Sequence, residues 1–154
     1  MKPKLTTSGT ALIRQVQLEL NQPYSEKCSL LFSVCPALGI GHCSVQFIEE
    51  QTPFLIVREW RPERQELYPT GIYDLNTIYI AEKRIALSTT DSVFIRSIKN
   101  VDLKIEKSTN IMLDGASYTL VLDDQTIHWT LIDKLSPELQ ESLNKLIHVA
   151  GIGL

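Results

Sequence analysis

The chain has 154 residues, of which 44% are apolar and 21% charged, and its net charge at pH 7 is −3. A chain of roughly 100–200 residues with ordinary globular composition is typical of one folded domain and excludes a largely disordered protein. The slight acidic excess argues against a general nucleic-acid-binding protein, because such proteins carry a basic surface.

We predict a flexible tail over residues 1–8, which are small, polar and unpatterned, and one β-rich domain over residues 9–154. Apolar residues then alternate with polar ones, as in strands that have one wet face. Leu12, Val16, Leu18 and Leu20 share one parity, so we interpret this segment as the first strand. The same alternation predicts strands at residues 27–34, 43–47 and 101–106.

Turn signals divide the later part of the chain. Asp114-Gly115 is a strong hairpin dipeptide between residues 111–113 and 118–122, and Asp123-Asp124 precedes a further strand at residues 127–131. Residues 101–132 therefore predict a meander of antiparallel strands. We find no helical period between the strands, and a parallel sheet would need crossover helices.

The C-terminal segment has a helical pattern. Ser136 suits an N-cap, Pro137 suits the first helical position, and Gly151 suits a left-handed stop. One apolar stripe runs along the helix between them, through Leu139, Leu143, Leu146, Ile147 and Ala150. We therefore predict an α+β fold: a mostly antiparallel β sandwich or half-barrel with one C-terminal amphipathic helix packed across it.

Three cysteines, Cys28, Cys35 and Cys43, leave at least one free thiol, which is typical of the cytoplasm. With His42 they fit no zinc spacing, and Cys28 and Cys43 are interpreted as small core residues in phase with Leu30 and Val45. We therefore expect no metal and no cofactor. No apolar run reaches the roughly 20 residues of a transmembrane segment, and no signal peptide is evident, so we expect a cytoplasmic protein.

No motif of nucleophilic, metal or phosphate-binding catalysis is present, so we predict that the protein is not an enzyme. His128 lies out of phase with its strand and His148 lies off the helical stripe, and we expect both on the surface. The best candidate binding surface is the segment from Arg58 to Pro69, because Trp, Tyr and Arg are enriched at binding hot spots. Its candidate residues are Trp60, Arg61, Glu63, Arg64, Glu66 and Tyr68.

The position of Trp60 and an acidic pair both affect this candidate surface. Trp60 has an alternative place in the core, since tryptophan is usually well buried. Glu49 and Glu50, at a predicted turn, would add an acidic rim that steers a basic partner.

From about Arg84 to Ala150 the order of elements resembles that of bacterial pleckstrin-homology-like or GRAM-like domains. The likeness rests on a run at residues 94–101, late strands at Tyr118–Leu122 and Ile127–Trp129, and the closing helix. It implies binding of lipid headgroups or peptides without catalysis, and it transfers no ligand residue. In general character the chain is also similar to bacterial immunity proteins, which bind and block toxins.

We therefore expect a non-enzymatic protein-binding module, in its narrower form an immunity protein that neutralises a bacterial toxin. One alternative is a pleckstrin-homology-like module for an anionic headgroup or a peptide. Another is a small enzyme or ligand-binding β-barrel whose site converges only in the fold. A headgroup site should be net basic, whereas the candidate segment pairs its arginines with glutamates, which favours a protein partner and no nucleic acid.

Overall fold

The computed structural model describes residues 6–7, 9–36, 41–61, 73–74, 78–110 and 115–152. The helices in these ranges are α1 (Gly9–Leu20), α2 (Thr89–Ser97) and α3 (Pro137–Ala150), and a 3₁₀ turn follows α2. In chain order the strands are β1 (Thr6–Thr7), β2 (Cys28–Cys35), β3 (Cys43–Ile48), β4 (Phe54–Trp60), β5 (Tyr73–Asp74), β6 (Ile80–Ala86), β7 (Ile105–Glu106), β8 (Ser117–Leu122), β9 (Gln125–Thr130) and β10 (Lys134–Leu135).

The centre of the fold is an antiparallel sheet of six strands in the order β6-β4-β3-β2-β8-β9. This confirms the predicted α+β class, the antiparallel pairing and the C-terminal helix, and the sheet is open and not closed into a barrel. Two short ladders lie outside it, β1 with β5 and β7 with β10. The first ladder involves Thr6 and Thr7, within the segment predicted as a tail.

One face of the sheet holds the main hydrophobic core. Alternate residues of the strands point to this face and pack against α2, α3 and the segment that follows α2. Three stacked rings, Phe32, Tyr118 and Trp129, have centroids between 5.5 and 6.3 Å apart and fill its β8–β9 side. The buried sheet residues of this core are Leu30, Phe32, Val34, Cys43, Val45, Phe47, Leu55, Val57, Leu120, Leu122 and Trp129.

The C-terminal helix is built as its sequence predicts. The Ser136 hydroxyl accepts the Leu139 N–H at 3.2 Å, which satisfies one of the donors left unpaired at a helix start. Gly151 ends the helix at φ 68°, in the left-handed region where glycine carries no steric penalty. Leu139, Leu143 and Leu146 are buried in the main core.

The predicted first strand is wrong, because residues Gly9–Leu20 form helix α1 on the opposite face of the sheet. Leu12, Val16 and Leu20 are buried against Trp60, whereas Leu18 is 61% exposed. A spacing of four residues is one helical turn and also an even number, so these three residues satisfy a helical and an alternating pattern equally. Leu18 distinguishes the helix from the strand, because it shares the parity of the buried residues and is nevertheless exposed.

Other parts of the predicted β pattern also need correction. Residues 89–97 form α2, so the absence of helices between strands is wrong. The hairpin of β8 and β9 around Asp123-Asp124 is confirmed. In the predicted meander, however, residues 101–104 form no strand, and β7 joins β10 outside the main sheet. The apolar residues Val101, Leu103 and Ile105 still pack against the core, so the alternation in this segment reflects which side chains are buried and not pairing in the main sheet. Asp114 lies outside the described residues.

Cys28 differs from its predicted phase with Leu30. The pairing of β2 with β3 shifts by one residue between Cys28 and Leu30, which is a β-bulge. Because a one-residue shift reverses the facing of side chains, Cys28 packs beside Ile48, Phe54 and Ile56 on the α1 side. Cys43 lies in the main core as predicted.

We expect Leu20→Ala and Leu18→Ala to differ sharply in stability, although they remove the same atoms two positions apart. Leu20 is 2% exposed and Leu18 is 61% exposed. Truncating the buried leucine should cost about 2–5 kcal/mol and truncating the exposed one about 0.5 kcal/mol or less. Urea denaturation of both variants measures this, and similar large losses would support the strand and contradict the helix.

We expect the docking of α3 to be essential to the fold. Leu143 is 2% exposed, so Leu143→Ala should lower the free energy of unfolding by about 2–5 kcal/mol. Glu141→Ala, on the exposed side of the same helix, is the control and should change it by about 0.5 kcal/mol or less. A negligible shift of the denaturation midpoint for Leu143→Ala would show that the helix is not docked.

Candidate functional site

The structure places Trp60 inside the molecule. Residues 58–60, the start of the predicted binding segment, are the last residues of β4, and Trp60 is 7% exposed. It packs against α1 and meets the His42 ring edge-on at a centroid distance of 5.3 Å. The core position considered as the alternative for Trp60 is therefore the one observed. Arg61 is exposed and pairs with Glu59 at 2.9 Å.

Two of the other predicted site residues, Glu49 and Glu50, lie away from Trp60. Glu49 and Glu50 follow β3, at the end of the β3–β4 hairpin away from Trp60. Glu49 pairs with Arg96 of α2, which ties this turn to the helix, and Glu50 is exposed. Glu63, Arg64, Glu66 and Tyr68 lie outside the described residues.

The face of the sheet toward α1 carries a polar row that crosses every strand. Cross-strand pairing joins each member to the next, so the row is continuous in register. Facing Cβ atoms at such positions lie about 5 Å apart, so neighbouring side chains are within reach of one another. From one edge strand to the other, its members are Glu82, Arg58, Ser44, Ser33, Thr119 and His128.

Half of this row fixes α1 in place. Arg58 Nε donates to Glu82 at 2.8 Å, and a second guanidinium nitrogen donates to the Gln22 carbonyl at 2.6 Å and the Glu19 carbonyl at 3.4 Å. Ser33 donates to the Asn21 side chain at 2.8 Å. Carbonyls at a helix end have no partner within the helix, and a cation there is favourable. The row therefore holds the C-terminal end of α1 over β4 and β2.

Two other members of the row, Thr119 and His128, lie in an open groove. The helix covers the β4 side of the face, and a cavity of about 510 Å³ separates it from the β8–β9 hairpin. Thr119 Oγ1 and His128 Nδ1 form a hydrogen bond of 3.0 Å on its floor. Its described lining residues are Arg14, Gln17, Leu18, Asn21, Lys107, Ser117, Tyr118, Thr119, Val121, His128, Trp129 and Thr130.

The end of the groove at Lys107 is held by Asp133. The Asp133 side chain is 6% exposed and accepts the Ser108 N–H and the Thr130 N–H, both at 2.9 Å. Lys107 donates to Asp133 at 3.3 Å and to the His128 carbonyl at 2.6 Å. These donors, the Ser108 and Thr130 N–H groups first, lower the pKa of Asp133 from 3.8 to about 2.

Buried polar groups without partners lie elsewhere under α1. Both ring nitrogens of His42, the Ser44 hydroxyl and the Trp60 Nε1 are buried and have no hydrogen-bond partner in the part of the chain that the structure describes. Burial lowers the pKa of His42, because the charged imidazolium loses its hydration. These groups are not among the described residues that line the groove. They are a local cost in stability and present no surface to a ligand.

Within the described ranges, the candidate nucleophiles and bases lack the partners that covalent catalysis uses. His128 contacts a threonine hydroxyl that no second base or acid orients. Burial, and to a lesser extent Glu59, raises the pKa of Cys43 to about 12, so its reactive thiolate is disfavoured. Within these ranges no three His, Cys, Asp or Glu side chains come close enough to hold a metal ion.

The groove residues were missed because the sequence interpretation made α1 a strand. On a helix, Arg14, Gln17, Leu18 and Asn21 are spaced i, i+3, i+4 and i+7 and share one face. That face lines the groove. His128 was correctly predicted to point out of the core, and the exposed His148 lies off the apolar stripe as predicted.

No protein-family model, no curated protein and no solved structure matches this chain. Among the described residues, none of the helices has the length and apolar character needed to cross a membrane.

We expect Asp133→Asn to change how stability depends on pH. The folded pKa of Asp133, about 2, lies below its ordinary value of 3.8, so ionised Asp133 stabilises the fold above about pH 4. That contribution is lost as the pH falls toward 2. The variant should therefore be less stable than the wild type at neutral pH, and the difference should shrink in acid.

Denaturant unfolding at a series of pH values measures this. Asp124→Asn, in the exposed β8–β9 turn, is the control and should follow the wild-type pH profile. A deficit of Asp133→Asn that stays constant from neutral pH to pH 2 would contradict the role of the carboxylate charge.

Proposed function

We propose that this chain is a non-enzymatic protein-binding module whose binding surface is the groove between α1 and the β8–β9 hairpin. The observation that carries the proposal is the half-covered sheet face. Helix α1 covers the β4 side and leaves Thr119, Val121 and His128 along an open groove. Side chains from a helix and from two strands converge there without filling the space.

The form of the groove favours a protein over a small molecule. Its volume of about 510 Å³ is within the usual range for ligand pockets, which is about 300–1,000 Å³. Such pockets, however, enclose roughly 70–90% of their ligand. This groove is open to solvent, and its helical wall carries Leu18 with 61% of its surface exposed. An exposed leucine on a rigid helix supplies apolar contact to a partner surface.

Toxin neutralisation is the narrower form of the proposal. It predicts that the partner is an enzyme whose activity falls when one equivalent of this chain is added. The proposed location is the cytoplasm, which three free cysteines support. A pleckstrin-homology-like module would bind an anionic headgroup on the same cationic side chains. The exposed Leu18 favours a protein partner, because an anionic headgroup offers no apolar surface for the leucine to contact.

We expect Leu18→Asn to weaken binding of the partner while leaving the fold intact. The wild type, Leu18→Asn and Val93→Asn are immobilised and used to capture proteins from the host lysate, and affinities are then measured with the purified partner. Val93 is the matched control, because it is 58% exposed and lies on α2, across the sheet from the groove. Neither substitution changes the net charge.

The wild type and Val93→Asn should bind the partner alike. Leu18→Asn should bind about tenfold more weakly, which corresponds to about 1.4 kcal/mol. Thermal melting of all three proteins checks that each is folded. A captured protein that binds Leu18→Asn as tightly as the wild type would exclude the groove as its interface.

A further inference from the structure

The groove differs in charge from the chain as a whole. The chain has 18 acidic and 15 basic residues, yet none of the described residues that line the groove is acidic. Arg14 and Lys107 contribute two positive charges. Lys107 shares its charge with Asp133 at 3.3 Å, so Arg14 is the main source of uncompensated charge.

Arg14 is presented without a partner. It is exposed on α1, one turn before Leu18, and the described residues offer it no ion pair and no hydrogen bond. Other arginines of the fold are engaged, Arg58 with Glu82 and Arg96 with Glu49. A free guanidinium has its full fork of donors available, and that fork matches a carboxylate in two-bond geometry.

The opposite wall can add further donors. His128 Nδ1 is engaged with the Thr119 hydroxyl, while His128 Nε2 has no partner among the described residues. Ser117 and Thr130 also carry hydroxyl groups into the lining. Val121 and Leu18 supply apolar surface beside these donors. The combination suits a chain that alternates carboxylates with apolar side chains.

We propose that the groove binds an acidic segment of the protein partner, with a carboxylate on Arg14 and an apolar side chain on Leu18. This inference rests on the proposed protein-binding function and names the chemistry of the partner. Complementary charge should act mainly on association and specificity, so binding should weaken as salt screens the charges.

The full-length chain, labelled with ¹⁵N, is titrated with a short peptide of alternating Glu and Leu, and separately with its Lys and Leu counterpart. The Glu peptide should shift the amide signals of Arg14, Leu18, Thr119 and His128, and less so at high salt. Arg14→Gln should weaken this binding about tenfold, because it removes a charge-assisted pair. Lys104→Gln is the control: Lys104 is exposed and outside the groove lining, and its loss changes net charge equally.

Three results would each overturn the inference. The first is that the Lys peptide binds as well as the Glu peptide. The second is that Arg14→Gln binds the Glu peptide no more weakly than Lys104→Gln does, and the third is that inorganic phosphate alone shifts the same signals as strongly as the Glu peptide. The last result would assign the groove to small anions. If the captured partner depends on Leu18 but not on Arg14, only this inference fails. If the Glu peptide binds the groove while the partner ignores Leu18→Asn, only the proposed function fails.

Discussion

The side chain of Arg58 links the two layers on which the rest of the structure depends. It lies on β4, within the sheet, and its guanidinium bonds both to Glu82 on the neighbouring strand and to carbonyls at the end of α1. The Glu19 carbonyl has no partner inside the helix and the Gln22 carbonyl lies just beyond it, so the partly buried guanidinium adds a charged donor to both. This link and the apolar packing of α1 against Trp60 position the helix, and the groove follows from the position of α1.

The two faces of the sheet are stabilised in different ways, and this explains why one can stay half open. The face toward α2 and α3 carries large apolar side chains such as Phe32 and Trp129, which gain stability only when they are covered. The face toward α1 carries apolar residues such as Ile56 and Trp60, and a polar row crosses it. Its outer members, Thr119 and His128, bond to each other and remain compatible with water. Leaving the β8–β9 side uncovered therefore costs little, and it leaves the groove open to solvent.

The sequence predicted those elements whose signals are local. Alternation identified β2 and β3, Asp123-Asp124 identified the β8–β9 turn, and Ser136 with Gly151 marked the ends of α3. Helix α1 was not predicted, because its buried residues are four apart and fit both the helical and the alternating period. The order of the strands was not predicted either. Alternation indicates which face of the sheet a side chain points to, but it does not indicate which strands are neighbours.

The groove could not be predicted for a related reason. Arg14 and His128 are more than a hundred positions apart in the sequence, and only the pairing of β2 with β8 brings their elements together. The segment around Trp60 had the composition of an interface, but the tryptophan serves the core under α1. The composition of a segment indicates which residue types could bind a partner, whereas burial in the fold determines which of these residues a partner can reach.

The edges of the sheet constrain how a partner can attach. An edge strand usually invites another strand to pair with its free backbone groups. Along β9, however, Lys107 occupies the His128 carbonyl and Asp133 occupies the Thr130 N–H. At the other edge, β6 carries the charged run Glu82-Lys83-Arg84, a common protection against strand addition. Because these backbone groups are occupied or flanked by charge, we expect the proposed recognition to depend on side chains of the groove, Arg14 and Leu18 first, more than on strand addition.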